Sequence, residues 1–166
     1  MTGPPGAGKT TAASLLTERY DRAVHLDTDR FFDFIESGFV EPWLPASHQQ
    51  NETVMRIAAG AAAAYADAGY FTIVDGIVIP RWFLVPLRDA LHESGHRVAY
   101  AVLRAPLELC LARRSTIDAA IVESVWRQFT DLGPYEPHAI EVTDAAPAEV
   151  VAELTAGLRD RFLLSP

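Results

Sequence analysis

Lysine is almost absent from this chain. It occurs once, at Lys9, while the other thirteen of the fourteen Lys and Arg residues are arginine. A sequence that uses arginine everywhere else has kept lysine where a compact point charge on a flexible stem is needed. Cysteine also occurs once, at Cys110 within LELCLARR, so no disulfide can form inside the chain. That excludes a disulfide-stapled scaffold and makes Cys110 a small core residue of a protein expected in the cytoplasm. No apolar run approaches the ~20 residues that span a bilayer, and no basic-then-apolar leader opens the chain, so no membrane partner is expected. Positive charge is in deficit too: the formal net charge is -8. A long nucleic-acid backbone is therefore disfavoured as a partner, since such binding rests on clustered Lys and Arg. A small anionic ligand remains compatible with locally placed cations.

What the chain does have is 166 residues, 49% of them hydrophobic, enough for one buried core and one domain spanning 1–166. It also has, at its start, MTGPPGAGKTTAA. Residues Gly3, Pro4, Pro5, Gly6, Ala7, Gly8, Lys9 and Thr10 fit the pattern G-x-x-x-x-G-K-S/T without a mismatch. In such a loop the glycines allow a tight turn that aims backbone N–H groups at phosphate oxygens, and the following helix N-terminus adds partial positive charge. Lys9 then reaches the β- and γ-phosphates, the Thr10 hydroxyl binds Mg2+, and Thr11 completes the nucleotide-binding run.

Beyond the loop, strand and helix patterns alternate. KTTAASLLTERY reads as a helix with an apolar stripe at Ala13, Leu16 and Tyr20, RAVHLD as a strand ending at Asp27, and RFFDFIES as a short helix stopped by Gly38. Ser47 is placed to cap a long helix, QQNETVMRIAAGAAAAYADA, with Gly69 as its stop. YFTIVD follows as a buried strand, RWFLVPLRDALHES as a helix, RVAYAVLR as a strand and APLELCLARRS as a helix. DAAIVESVWRQFTDL, the short strand HAIEV and a closing helix PAEVVAELTAGLRDRFLL complete the chain. This alternation implies an α/β fold with a parallel sheet between helices.

Three further stretches carry candidate chemistry. In HLDTDRFF, Asp27 and Asp29 fall at the C-terminal end of a strand, the edge where ligands bind in such sheets. One of the two can act as base toward an acceptor hydroxyl and the other can serve Mg2+, or one can simply cap the helix that follows. Asp75 closes YFTIVD ahead of Gly76, as a metal-site carboxylate or as an ordinary turn residue. Arg81 and Arg127 are either phosphate clamps or solvated surface charges. Aromatic residues Phe31, Phe32, Phe34, Trp43, Trp82 and Phe83 gather around the acceptor side, which suggests an acceptor with an apolar body. The five histidines have no metal-ligand spacing and receive no role.

The loop, the D-x-D motif, the strand ending in Asp75 and the late VLRAPLELCLARR together resemble the small P-loop kinases of the nucleoside-monophosphate kinase class. Within that class they resemble the shikimate, gluconate and chloramphenicol phosphotransferase-like enzymes. The resemblance implies helices on both faces of a sheet of order 2-3-1-4-5 and an ATP- and Mg2+-dependent phosphotransferase acting on a hydroxyl of a small molecule. It implies Asp29 as base, Asp27 and Asp75 beside the metal with Thr10, Arg113 and Arg114 over the nucleotide, and a short lid near 113–120. The absence of an N-K-x-D motif favours ATP over GTP. The alternatives are a nucleoside or nucleotide kinase, or a nucleotide-binding module with little turnover. One element is missing: no apolar strand precedes the loop, although that strand is central in this order. Its loss would leave backbone groups facing a gap, so an upstream strand of about 5–8 residues, or another segment in the same slot, is expected.

Overall fold

The computed structural model describes residues 1–113, 117–143 and 146–165. Its strands form two parallel pairs. Strand β1 (Ala23–Asp27) runs beside β2 (Phe71–Asp75), in a register that sets Asp27 against Asp75. Strand β3 (Val102–Arg104) runs beside β4 (Ala139–Glu141). Between the pairs lie the first residues of the chain: Thr2 bridges Gly76 on one side and Val102 on the other, both in parallel. The Thr2 N–H donates to the Ala101 carbonyl at 2.8 Å and the Leu103 N–H donates to the Thr2 carbonyl at 2.8 Å. The Met1 amino group donates to the Val74 carbonyl at 2.8 Å. The spatial order is β1, β2, Met1–Thr2, β3, β4, which is the expected 2-3-1-4-5 with the Met1–Thr2 segment counted first. The segment filling the central slot is thus the chain's own start, over two residues. Beside it a cavity of about 290 Å3 opens between Thr72 and Val74 of one sheet and Ala99 and Ala101 next to the other.

Side chains alternate across this sheet, and both faces are covered. On β3 and β4, Leu103 and Ile140 join a core with Ala13 and Leu16 of helix α1 (Lys9–Thr17) and Val150, Val151 and Leu154 of helix α7 (Pro147–Gly157). Their neighbours Val102 and Ala139 face the opposite way. They join Met55 of helix α3 (His48–Asp67) with Phe83, Phe129 and Leu132. The α/β sandwich anticipated from the alternating pattern is what the chain forms.

Several element boundaries differ from the sequence reading, each for a local reason. The short helix α2 is Thr28–Phe32 rather than 30–37, because the Asp27 side chain accepts from the Asp29 N–H and starts the helix two residues earlier. Ser47 does not cap α3 with its side chain; its hydroxyl donates instead to the carbonyls of Pro42 and Leu44. Residues 80–84 form a π-type turn before helix α4 (Val85–Glu93). The expected strand over 97–104 is a ladder strand only from Val102. Tyr100 instead pairs with Phe162, and Val98 with Leu164, of the C-terminal segment. After α7 ends at Gly157 the chain turns back through 158–162, and Phe162 packs over that glycine, where a Cβ would lie 2.2 Å from its ring. Helix α5 covers Leu107–Arg113 and helix α6 covers Ala119–Arg127. Cys110 is fully buried, as its apolar neighbours imply.

Thr2 is fully buried, and its hydroxyl accepts the Val78 N–H at 2.8 Å. Thr2→Val keeps the shape but leaves that buried N–H without an acceptor. Urea unfolding of the variant should show a stability loss of about 1–3 kcal/mol; an unchanged midpoint would mean that Val78 finds another partner.

Candidate functional site

The carboxyl ends of β1 and β2, the Gly3–Thr10 loop and the N-terminus of α1 converge on one cavity of about 340 Å3. Gly6 and Gly8 have φ of +83° and +93°, a region that favours glycine. Gly6 also lies so close to α5 that a Cβ would stand 2.7 Å from the Cys110 carbonyl oxygen. Gly3, Pro4, Pro5 and Ala7 are buried, while Thr11 is exposed on the first turn of α1. Lys9 Nζ donates to the Pro4 carbonyl at 3.1 Å, so the ammonium curls over its own loop.

Of the residues singled out in the sequence, Pro5, Lys9, Thr10, Asp27, Asp29 and Asp75 all line this cavity. Asp27 and Asp75 face each other across the β1–β2 register, and Thr10 Oγ1 donates to Asp75 Oδ2 at 2.8 Å. One oxygen of Asp27 caps α2 by accepting the Asp29 N–H at 3.0 Å, so the capping role considered for it is real. Arg113, at the end of α5, donates to the Gly6 carbonyl at 3.2 Å and so lies over the loop. Arg114 and residues 115–116 of the expected lid fall outside the described residues. Ile117 and the α6 residues Ile121 and Val125 line the same cavity. Phe32, Trp43, Trp82 and Phe83 line it too, whereas Phe31 and Phe34 do not. Arg81 and Arg127 border a separate cavity of about 330 Å3, where Arg127 pairs with Glu123 at 2.5 Å and Arg81 approaches Asp131 at 3.8 Å.

Two residues given no role in the sequence reading belong to the site. His25 Nε2 lies 3.2 Å from Asp75 Oδ2. His25 precedes Asp27 by two positions on β1, so the strand period puts both side chains on one face; that spacing was the available signal. The second is Asn51 on α3, 3% exposed and lining the cavity. Its amide donates to the Pro42 carbonyl and Ser47 Oγ, at 2.8 and 2.9 Å, while its Oδ1 has no partner. A polar residue on the buried stripe of Val54, Met55 and Ala58 marks it in the sequence.

Asp75 is 1% exposed. Burial opposes its ionisation, but the His25 hydrogen bond, the Lys9 charge and the Thr10 hydroxyl outweigh that, and the carboxyl sits below its ordinary value of 3.8. Its Oδ1 is buried with no hydrogen-bond partner. Among the described residues no cluster of three or more His, Cys, Asp or Glu forms a protein-only metal cage. A Mg2+ ion held chiefly by phosphates needs only one or two carboxylates, and Thr10 beside the unpartnered oxygen of Asp75 suits that demand. No helix among the described residues is long and apolar enough to cross a membrane.

A group with a depressed folded-state value stabilises the fold above its unfolded value and loses that contribution as pH falls through the folded one. The stability of the protein should therefore fall below pH 3.8 in part through Asp75. Asp75→Asn should flatten the decline in that window, as followed by denaturant unfolding at stepped pH. A profile identical to that of the unmodified protein would remove Asp75 from the acid transition.

Comparison with known proteins agrees with this architecture. The family model described as AAA domain matches residues 1–131. A search of curated proteins finds no match. Among solved structures, the Mycobacterium tuberculosis APS kinase in complex with AMPPNP and APS is similar at 19% identity and TM-score 0.71, over 96% of this chain and 95% of that one. The Deinococcus radiodurans tunicamycin resistance protein is similar at 20% identity and TM-score 0.66, over 99% and 96%. A sugar kinase from a Janibacter species is similar at 22% identity and TM-score 0.65, over 95% and 91%. At these identities the likeness establishes a shared fold, that of the small P-loop kinases.

Proposed function

The chain belongs to the AAA domain family, whose model spans residues 1–131, and from that premise we propose that it is an ATP-dependent phosphotransferase acting on a hydroxyl of a small, partly apolar molecule. The observation that carries the reading is the joining of two chemistries in one cavity: Lys9, Thr10 and Asp75 at the phosphate loop, and Asp29 with Trp43 and Trp82 in the same lining. The alternatives, a nucleoside or nucleotide kinase and a binding module with little turnover, are separated from it by the acceptor assay below.

In the proposed reaction the backbone N–H groups of Gly6, Gly8, Lys9 and Thr10 cradle the phosphates of ATP, Pro4 and Pro5 having none to offer, and Lys9 leaves the Pro4 carbonyl to meet the β- and γ-oxygens. Thr10 and Asp75, with Asp27 nearby, are the groups that would hold Mg2+, which neutralises charge on the phosphates when bound. Arg113 turns from the Gly6 carbonyl to the nucleotide, and Arg114 is assigned the same duty by sequence position. Asp29 orients the acceptor hydroxyl and takes its proton. The acceptor oxygen forms a bond to the γ-phosphorus, the bond from that phosphorus to the β,γ-bridging oxygen breaks, and ADP leaves with that oxygen. His25 acts as a positioning residue that fixes the Asp75 carboxylate. Catalysis comes mainly from alignment and charge neutralisation, since phosphoryl transfer asks little else of the protein. A neighbour of the same fold binds AMPPNP, an ATP analogue, which supports ATP as the donor.

Purified protein given ATP, Mg2+ and a panel of hydroxylated metabolites and antibiotics should release ADP only with a suitable acceptor. Lys9→Ala should lower kcat/KM by about 100-fold or more with the fold intact. Asp29→Asn should abolish transfer while an ATP analogue still binds. Activity of Lys9→Ala within twofold of the unmodified protein would defeat the phosphate-loop assignment. A mild Asp29→Asn beside a severe Asp27→Asn would exchange the two aspartate roles.

A further inference from the structure

We propose that the acceptor is a hydroxylated amine, carried in its ammonium form, with an aromatic or aliphatic body. This deepens the phosphotransferase reading and rests on it. The cavity is lined by five carboxylates, Asp27, Asp29, Asp33, Glu41 and Asp75, against one cation, Lys9, among the described residues. The proposed chemistry uses three of the five: Asp75 and Asp27 at the phosphate end and Asp29 at the acceptor hydroxyl. Asp33 and Glu41 remain, and neither makes an ion pair among the described residues.

Asp33 and Glu41 are exposed and line the cavity together with Phe39, Trp43 and Trp82, which are 44%, 48% and 40% exposed, one face of Trp82 being stacked on Phe83 with ring centroids 4.6 Å apart. Carboxylates interleaved with partly exposed aromatic rings attract a cation twice, by charge and by the ring quadrupole. They repel an anionic acceptor, and no arginine among the described lining residues offsets that repulsion. A second, independent observation comes from Asn51, which lines the same cavity and is only 3% exposed: its Oδ1 accepts no hydrogen bond from the described residues. An unsatisfied buried acceptor calls for a donor from the ligand, and an ammonium has donors but no acceptors. The Asn51 amide is held by Pro42 and Ser47, so the side chain cannot turn to offer its nitrogen without breaking both bonds.

The test uses three molecules that share a phenyl ring and a benzylic hydroxyl: 2-amino-1-phenylethanol, its neutral N-acetyl derivative, and anionic mandelate. Binding is followed at pH 7 by tryptophan fluorescence and equilibrium dialysis with AMPPNP present, and ADP release with ATP is recorded in parallel. The amine should bind at least about tenfold more tightly than the N-acetyl compound, with mandelate weaker still and the preference shrinking as salt rises. Glu41→Gln combined with Asp33→Asn should erase most of that preference while leaving affinity for the N-acetyl compound within about twofold. Equal binding of the amine and its N-acetyl derivative, tighter binding of mandelate, or no saturable binding of the amine up to about 10 mM would overturn the proposal. The comparison on the unmodified protein decides this even if the double variant fails to fold. Selective amine binding without ADP release would keep the subsite and refute phosphotransfer. ADP release driven by a neutral or anionic alcohol, without amine preference, would do the reverse.

Discussion

Thr2 holds the two halves of the sheet together, and the candidate site depends on that attachment. Its backbone bonds to Ala101 and Leu103 of one half, Met1 bonds to Val74 and Gly76 of the other, and its hydroxyl receives the Val78 N–H. The residue after it, Gly3, passes so near Leu103 that a Cβ would lie 2.1 Å from that carbonyl oxygen. The chain therefore leaves the sheet at a fixed point, between the carboxyl ends of β2 and β3, and the loop up to Thr10 is delivered directly beside Asp75. The backbone pairing of Met1 and Thr2 sets the height and direction from which the loop starts.

The second constraint is electrostatic. Asp75 is buried, and an ionised carboxylate in such a place needs partners. His25 supplies one from β1, and Thr10 and Lys9 supply the others from the first turn of α1. Binding of phosphates at the loop would draw Lys9 toward the ligand and change the balance around Asp75, while Thr10 and His25 remain. The arrangement thus has a fixed part, the two hydrogen bonds to Oδ2, and an exchangeable part, the oxygen Oδ1 with no partner.

The parts of this picture that were legible in the sequence are those governed by local backbone chemistry. The loop is set by glycine spacing, the strand–helix alternation by periodicity, and the gathering of Asp27, Asp29 and Asp75 follows because parallel strands bring their carboxyl ends to one edge. What the sequence hid depends on partners far along the chain. His25 acquires meaning only when β1 lies beside β2, and the ladder length of β3 only when Phe162 and Leu164 compete for the preceding residues. Ser47 looked like a helix cap, since its type and position were right, but nearby carbonyls of Pro42 and Leu44 took its hydroxyl. The gathering of aromatics pointed to the acceptor side, yet periodicity alone could not tell Phe32, which lines the cavity, from Phe34, which is 79% exposed.

The scarcity of lysine acquires a physical sense in this geometry. Five carboxylates around one cavity make it hostile to any anion, so a nucleotide can approach only where positive groups are concentrated. Those groups are Lys9, the N–H groups of the loop, the α1 N-terminus, and Arg113 above Gly6. They all stand at one end. The other residues of the lining, around Asp33, Glu41 and the partly exposed aromatic rings, keep their negative field, because among the described residues no cation but Lys9 lines the cavity. The cavity is polarised along its length, and a second lysine near Trp43 would create a competing anion site where the acceptor is proposed to lie. In the proposed reaction a single lysine in an acidic chain would give the phosphates one orientation, with the γ-phosphoryl group directed toward Asp29 and not away from it.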